Sequence, residues 1–141
     1  MSTAAAQAAA FYREVAEHGS LWTVRDAGGF PQPKNSTGLR AHPMWSLRSR
    51  AERIVKTAPA YSGFEVVELS WDEFVSHWVP GLKRDRVVVG VNWSGTRAIG
   101  YDISPDDVVR NVQAVANPGS PVLAARPSPA KRSWWQRVFR R

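Results

Sequence analysis

Residues 86–103 read RVVVGVNWSGTRAIGYDI, and this stretch decides the fold class. Val87, Val89, Val91 and Trp93 recur at every second position, the period of a half-buried strand. Ser94-Gly95 supplies a turn, and Ile99, Tyr101 and Ile103 alternate on the return. Two alternating runs around a short glycine-containing turn predict a β-hairpin. Ser104-Pro105-Asp106-Asp107 then predicts a helix start. Serine caps, proline fits the first helical position, and the acids face the positive end of the helix. Val108, Val109, Val112 and Val115 supply that helix's apolar face. An antiparallel pair followed by a helix points to an α+β fold.

Working upstream, Ser70-Trp71-Asp72-Glu73 predicts a second helix start, with Ser70 and Glu73 as a reciprocal capping box. Trp71, Phe74, Val75, Trp78 and Val79 form one apolar stripe, and Pro80-Gly81 reads as its stop. Phe64 to Leu69 reads as a strand. Ser46 to Thr57 reads as a helix with Leu47, Ala51, Ile54 and Val55 inward, ended by Pro59. Residues 30–42, with Pro31, Pro33 and Gly38, read as a loop with room for a short irregular strand. Leu21 to Arg25 reads as a strand, and Thr3 to His18 as a helix burying Ala8, Phe11 and Val15. The expected architecture is a small antiparallel or mixed sheet covered by about four helices, followed by a flexible basic C-terminal tail.

Length and charge sharpen the boundaries. A chain of 141 residues fits one domain. The absence of cysteine excludes a disulfide framework, a thiolate zinc site and a cysteine nucleophile, and makes the cytoplasm the expected compartment. The net charge is +7, but six cations and no acids lie after Ala116. The first 116 residues thus carry 13 cations against 12 acids, a net of +1. Residues 1–116 read as the domain, 117–130 with four prolines as a linker, and 131–141 as a basic aromatic tail. No run of about 18 apolar residues predicts a membrane-spanning helix. The alanine-rich start lacks the basic, leucine-rich character of a signal peptide.

Several pieces also carry a likeness. Leu21-Trp22-Thr23, Pro43-Met44-Trp45, Leu69-Ser70-Trp71-Asp72-Glu73-Phe74, Trp78-Val79-Pro80-Gly81-Leu82 and Gly90-Val91 occur in order. Over roughly residues 11–115 the chain resembles a small bacterial family, number 2750 among the domains of unknown function. The resemblance implies a compact α+β domain in a bacterial cytoplasm. It brings no catalytic residue, and the tail lies outside it.

Catalytic signals are sparse. Of His18, His42 and His77, none has metal-ligand spacing. His18 sits at a helix C-terminus, where it complements the dipole, and His77 reads as an outward residue four after Glu73. His42, beside Pro43 in the predicted loop, is the best enzymatic candidate, though it has no identified partner. Gly90 to Thr96 lacks the lysine of a phosphate loop, and Asp106-Asp107 reads as a helix start rather than a metal pair. Trp22, Phe30, Arg40, His42 and Trp45, with Lys34 and Met44, are candidates for a recognition groove, against core packing for the tryptophans. An enzyme with a site near the Gly28–Trp45 loop is the remaining catalytic reading, and no cofactor or metal is expected.

The tail reads KRSWWQRVFRR. A helix capped by Ser133 places Trp134, Trp135, Val138 and Phe139 on an arc of about 140°, with Gln136, Arg137, Arg140 and Arg141 opposite. Eight residues are too few to hold a helix alone in water, so docking must order it. An anionic membrane surface, a protein groove and single-stranded nucleic acid all offer such docking. The reading that emerges is a non-enzymatic binding or adaptor module, cytoplasmic or peripheral at the inner membrane. Its tail docks on anionic lipid or a protein, with nucleic acid behind both.

Overall fold

The computed structural model describes residues 3–117. Ser2, most of the predicted linker and the whole tail lie outside the described residues. The chain is α+β, as the hairpin and capping signals imply. Helix α1 (Thr3–His18) leads into β1 (Ser20–Arg25), and β2 (Arg40–Met44) precedes α2 (Arg48–Thr57). A 3₁₀ turn (Pro59–Tyr61) and β3 (Glu65–Ser70) follow. Three consecutive segments then make one continuous helix: α3 (Trp71–Glu73), a π turn (Phe74–Trp78) and α4 (Val79–Arg84). The chain continues through β4 (Val87–Ser94), β5 (Ile99–Ile103) and α5 (Pro105–Ala116).

The strands form a two-stranded sheet, β1-β3, and a three-stranded sheet, β2-β4-β5. Pairing is antiparallel in β1-β3 and β4-β5 and parallel in β2-β4. Trp22 and Trp45 exchange two backbone hydrogen bonds of 2.7 Å and join the two sheets at one bridge. Side-chain alternation then separates two cores. Val87, Val89 and Val91 pack with Phe11 and Val15 of α1, Phe74, Val79 and Leu82 of the composite helix, and Val108 and Val112 of α5. Val24, Ala41 and Trp45 pack with Ala51 and Ile54 of α2, together with Tyr61. The sheets therefore lie between α2 on one side and the other helices on the opposite side.

Four sequence expectations are corrected. First, β2 occupies the end of the predicted loop and includes Pro43. The Pro43 carbonyl accepts from Thr23 Oγ1 on the β1 side. In an extended strand the nitrogen of the same residue points the same way, so the missing N–H faces away from the β4 ladder. Second, the helix starting at Trp71 does not stop at Pro80-Gly81 but runs on to Arg84. A proline ring normally presses on the carbonyl four residues back. The π turn just before it closes with Val79 N–H bonding Phe74 O, and this wider turn relieves the pressure.

Third, Trp93 does not share a face with Val87, Val89 and Val91. Asn92 has a left-handed φ of 52°, and the β4–β5 register shifts between Val91 and Ser94. This bulge turns Trp93 into the α2-side core beside Val88. Fourth, Val115 at the end of α5 is exposed, as are Ile99 and Tyr101 on β5. The capping signals largely stand. Ser104 accepts from Asp107 N–H and Ser70 from Glu73 N–H, each at 3.2 Å. Ser70 Oγ itself donates to Asp72 Oδ1. Helix α2 starts two residues later than expected, because Ser46 is drawn into a buried polar cluster.

Candidate functional site

His42 lies on β2, not in a loop, and is fully enclosed. Its surroundings follow from the strand order. β1 brings Thr23 to one side, the segment before β2 brings Gln32 to the other, and the π turn brings Trp78 over the ring. Thr23 Oγ1 has one proton, which it donates to Pro43 O at 2.8 Å. Toward His42 Nε2, at 3.0 Å, it can only accept. Nε2 therefore carries the imidazole proton, and Nδ1 accepts from Gln32 Nε2 at 3.1 Å. Phe30 and Trp78 close the space, with ring centroids 5.4 Å and 5.1 Å from the imidazole. Burial pulls the His42 pKa down to about 4. The ring is neutral at pH 7 with both nitrogens engaged.

This line of Thr23, His42 and Gln32 has the outline of nucleophile, base and orienting residue. The chemistry does not follow from the outline. The threonine proton is committed to a backbone carbonyl, and Thr23 and His42 are both 0% exposed. A reacting atom has no approach to either. The line instead ties β1, β2 and the preceding segment together with satisfied polar groups.

The solvent side of the same cluster is different. A groove of about 270 Å³ is lined by Gln32, His77, Trp78, Gly81, Leu82 and Asp85. Gln32 and Trp78 belong to both the groove and the enclosed cluster. The volume falls below the roughly 300–1,000 Å³ of small-molecule sites, so it suits one side chain.

The fold divides the groove residues expected from sequence. Phe30 and His42 meet directly. Trp45 is buried in the α2-side core, where its Nε1–H donates to Trp93 O at 2.8 Å, and Trp22 is half-buried against the same core. Met44 is buried on the opposite side, while Arg40 and Lys34 are exposed and joined by a backbone bridge. His18 and His77 are exposed. Asp107 sits at its cap, and Asp106 pairs with Lys83 at 2.9 Å. Among the described residues no group of three His, Cys, Asp or Glu side chains is arranged to hold a metal ion. Trp134, Trp135, Arg137, Val138, Phe139, Arg140 and Arg141 lie outside the described residues. Thr23, Gln32 and Asp85 carry no sign of a site in the sequence, because only the fold brings them to this region.

A second polar cluster pins α1 to the other end of β2. Arg50 donates twice to Glu14, at 2.9 Å each, and Ser46 Oγ donates to Glu14 Oε1 at 2.6 Å. Burial alone would raise the Glu14 pKa, but the hydrogen bonds from Arg50 and Ser46 and the Arg50 charge outweigh it and hold it low. Both carboxylate oxygens of Glu14 are paired in this cluster.

A family model described as a protein of unknown function, DUF2750, matches residues 8–112. The chain belongs to the DUF2750 family. The match takes in every strand, the enclosed His42 cluster and the groove, and it ends before the tail. A search of curated proteins found no match.

The neutral His42 has a measurable consequence for the DUF2750 domain. Unfolded, the imidazole titrates near 6.5; folded, it titrates at about 4. Between these values the unfolded chain holds a proton that the folded chain does not, so stability falls as pH falls. The expected loss between pH 7 and pH 5 is about 2 kcal/mol, read from urea midpoints. The Glu14 carboxyl contributes below its ordinary value of 4.5, outside this window. His42→Gln should flatten the slope between pH 7 and pH 5. An unchanged slope would assign it to other groups.

Proposed function

We propose that this protein is a non-enzymatic binding module of the cytoplasm, whose basic aromatic tail tethers it to an anionic membrane surface. The observation that carries this reading is the partition of charge. Six cations and no acids follow Ala116, on a body with a net charge of +1. Trp134, Trp135, Val138 and Phe139 stand among those cations. Tryptophan and phenylalanine lodge at the headgroup level, and each cation near anionic lipid adds about 1 kcal/mol. Five such cations in residues 131–141, less the cost of ordering a short helix, support reversible attachment. No helix of the described residues is long and apolar enough to cross a membrane.

Flotation with vesicles tests the proposal. The full chain should float with phosphatidylserine-containing vesicles and remain behind with neutral phosphatidylcholine. Deletion of residues 131–141 should abolish the difference. Equal partitioning of the two proteins would remove the membrane reading. Salt-steep binding of single-stranded DNA without lipid binding would replace it with a nucleic-acid role.

A further inference from the structure

We propose that the groove between Gln32 and Asp85 is the docking site for the chain's own residues 131–141 and takes one aromatic side chain of that segment. Three observations converge on this occupant: the size and chemistry of the groove, the composition of the segment, and the length of chain that joins them. The inference does not rest on the membrane reading, because its test contains no lipid.

The groove offers an apolar floor and an acceptor rim. Trp78 and Leu82 form the floor, and Trp78 is already fixed by edge-on packing against His42 and Phe30. An incoming ring therefore meets a surface that need not rearrange. On the rim, Gln32 Nε2 is held by His42 Nδ1, which sets the amide plane. Gln32 lines the groove beside that contact, and an amide there has an oxygen that can accept from an indole or guanidinium N–H. Asp85 adds a carboxylate that pairs with its neighbour Arg84 at 3.3 Å, both side chains well exposed. Such a surface pair is weak and yields readily to a second cation.

An aromatic residue flanked by arginines matches this combination. Trp134, Trp135 and Phe139 lie among Arg132, Arg137 and Arg140, with no acid nearby to oppose Asp85. Arginine also stacks on tryptophan, so Trp78 serves either kind of side chain. Residues 118–130 separate the last described residue from Lys131. Thirteen residues can span at most about 40 Å at about 3.1 Å each. A domain of this size has a radius of gyration of about 13 Å, so the segment reaches any face. Tethering at this length gives an effective concentration near the millimolar range, which favours even a weak contact.

The cysteine-free sequence makes the test direct. His77→Cys and Ser133→Cys are combined in the full chain under a glutathione redox buffer. Arg53→Cys with Ser133→Cys is the control, since Arg53 is exposed on α2, on the opposite side of the sheets. The His77 pair should form an intramolecular disulfide about tenfold more readily than the Arg53 pair. A third protein adds Gly81→Leu to the His77 pair. A Cβ at Gly81 meets only the Arg84 guanidinium, at 3.7 Å, so a side chain there can fill the groove with the helix intact. This protein should fall to the control yield. Equal yields for the His77 and Arg53 pairs would overturn the proposal. So would a Gly81→Leu yield that stays high, or disulfides formed only between molecules, which would mean the segment docks on a second copy.

Discussion

Gly90→Ala is expected to cost the domain about 4 kcal/mol, beyond the roughly 1–3 kcal/mol of ordinary overpacking. Backbone freedom is not the reason, since the φ at Gly90 is not positive. Space is. A Cβ there would lie 2.2 Å from Trp93 Cε2 and 2.4 Å from Cζ2. The indole cannot retreat easily. It is 7% exposed in the α2-side core, and its Nε1–H is directed at Asp102 Oδ1, 3.2 Å away, and Tyr101 O, 3.3 Å away. Accommodating the methyl means breaking those hydrogen bonds or moving β4 away from Trp93. Urea denaturation of the variant measures the loss. A cost below about 1 kcal/mol would show that Trp93 does not lie on Gly90.

The second large effect is expected at Asn92. Its Oδ1 accepts from Ser46 N–H at 2.9 Å, and its Nδ2–H groups donate to Ser46 Oγ at 2.9 Å and Gln7 O at 3.2 Å. Ser46 Oγ spends its own proton on Glu14, so it depends on Asn92 as a donor. Asn92→Ala leaves a buried N–H unpaired, which costs about 1–3 kcal/mol. It also places a Cβ without a hydrogen-bonding side chain at φ 52°, adding about 1 kcal/mol. The expected total is about 3 kcal/mol. Asn92→Gly separates the two terms: it removes the hydrogen bonds but tolerates the left-handed backbone. The glycine variant should therefore be the more stable of the two by about 1 kcal/mol. The reverse order would mean that the φ at Asn92 costs nothing and the bulge is not strained.

Local signals explain what the sequence revealed. Alanine-rich α1, the valine alternation of β4 and the Ser104 cap each announce themselves within a few residues. The failures arise where a distant partner decides. β2 is five residues long and contains a proline, and its ladder lies on β4, more than 40 positions along the chain. Because β2 leaves no local pattern, the sequence puts His42 in a loop, whereas its strand carries it into the interior. One left-handed residue, Asn92, takes Trp93 off the face of Val87, Val89 and Val91, because a period of two holds only along an unbroken pleat. Pro80 does not end its helix, because it follows a π turn and falls in the first turn of the segment that continues. Gln32 and Asp85 reach the groove from opposite ends of the chain's middle, with no local pattern to join them. The charge partition, by contrast, is visible from composition alone.

Whether His42 is an enclosed structural group or a base open to substrate is measured directly by its NMR titration. In the full chain, the His42 ring nitrogens should report a neutral imidazole protonated at Nε2, and this state should persist as pH is lowered from 7 to 5, with a midpoint at about 4. The Nε2 proton should exchange slowly with water, as expected for a buried hydrogen bond to Thr23. A midpoint near 6.5 with rapid exchange would contradict the enclosed structural role and reopen His42 as a base accessible to substrate.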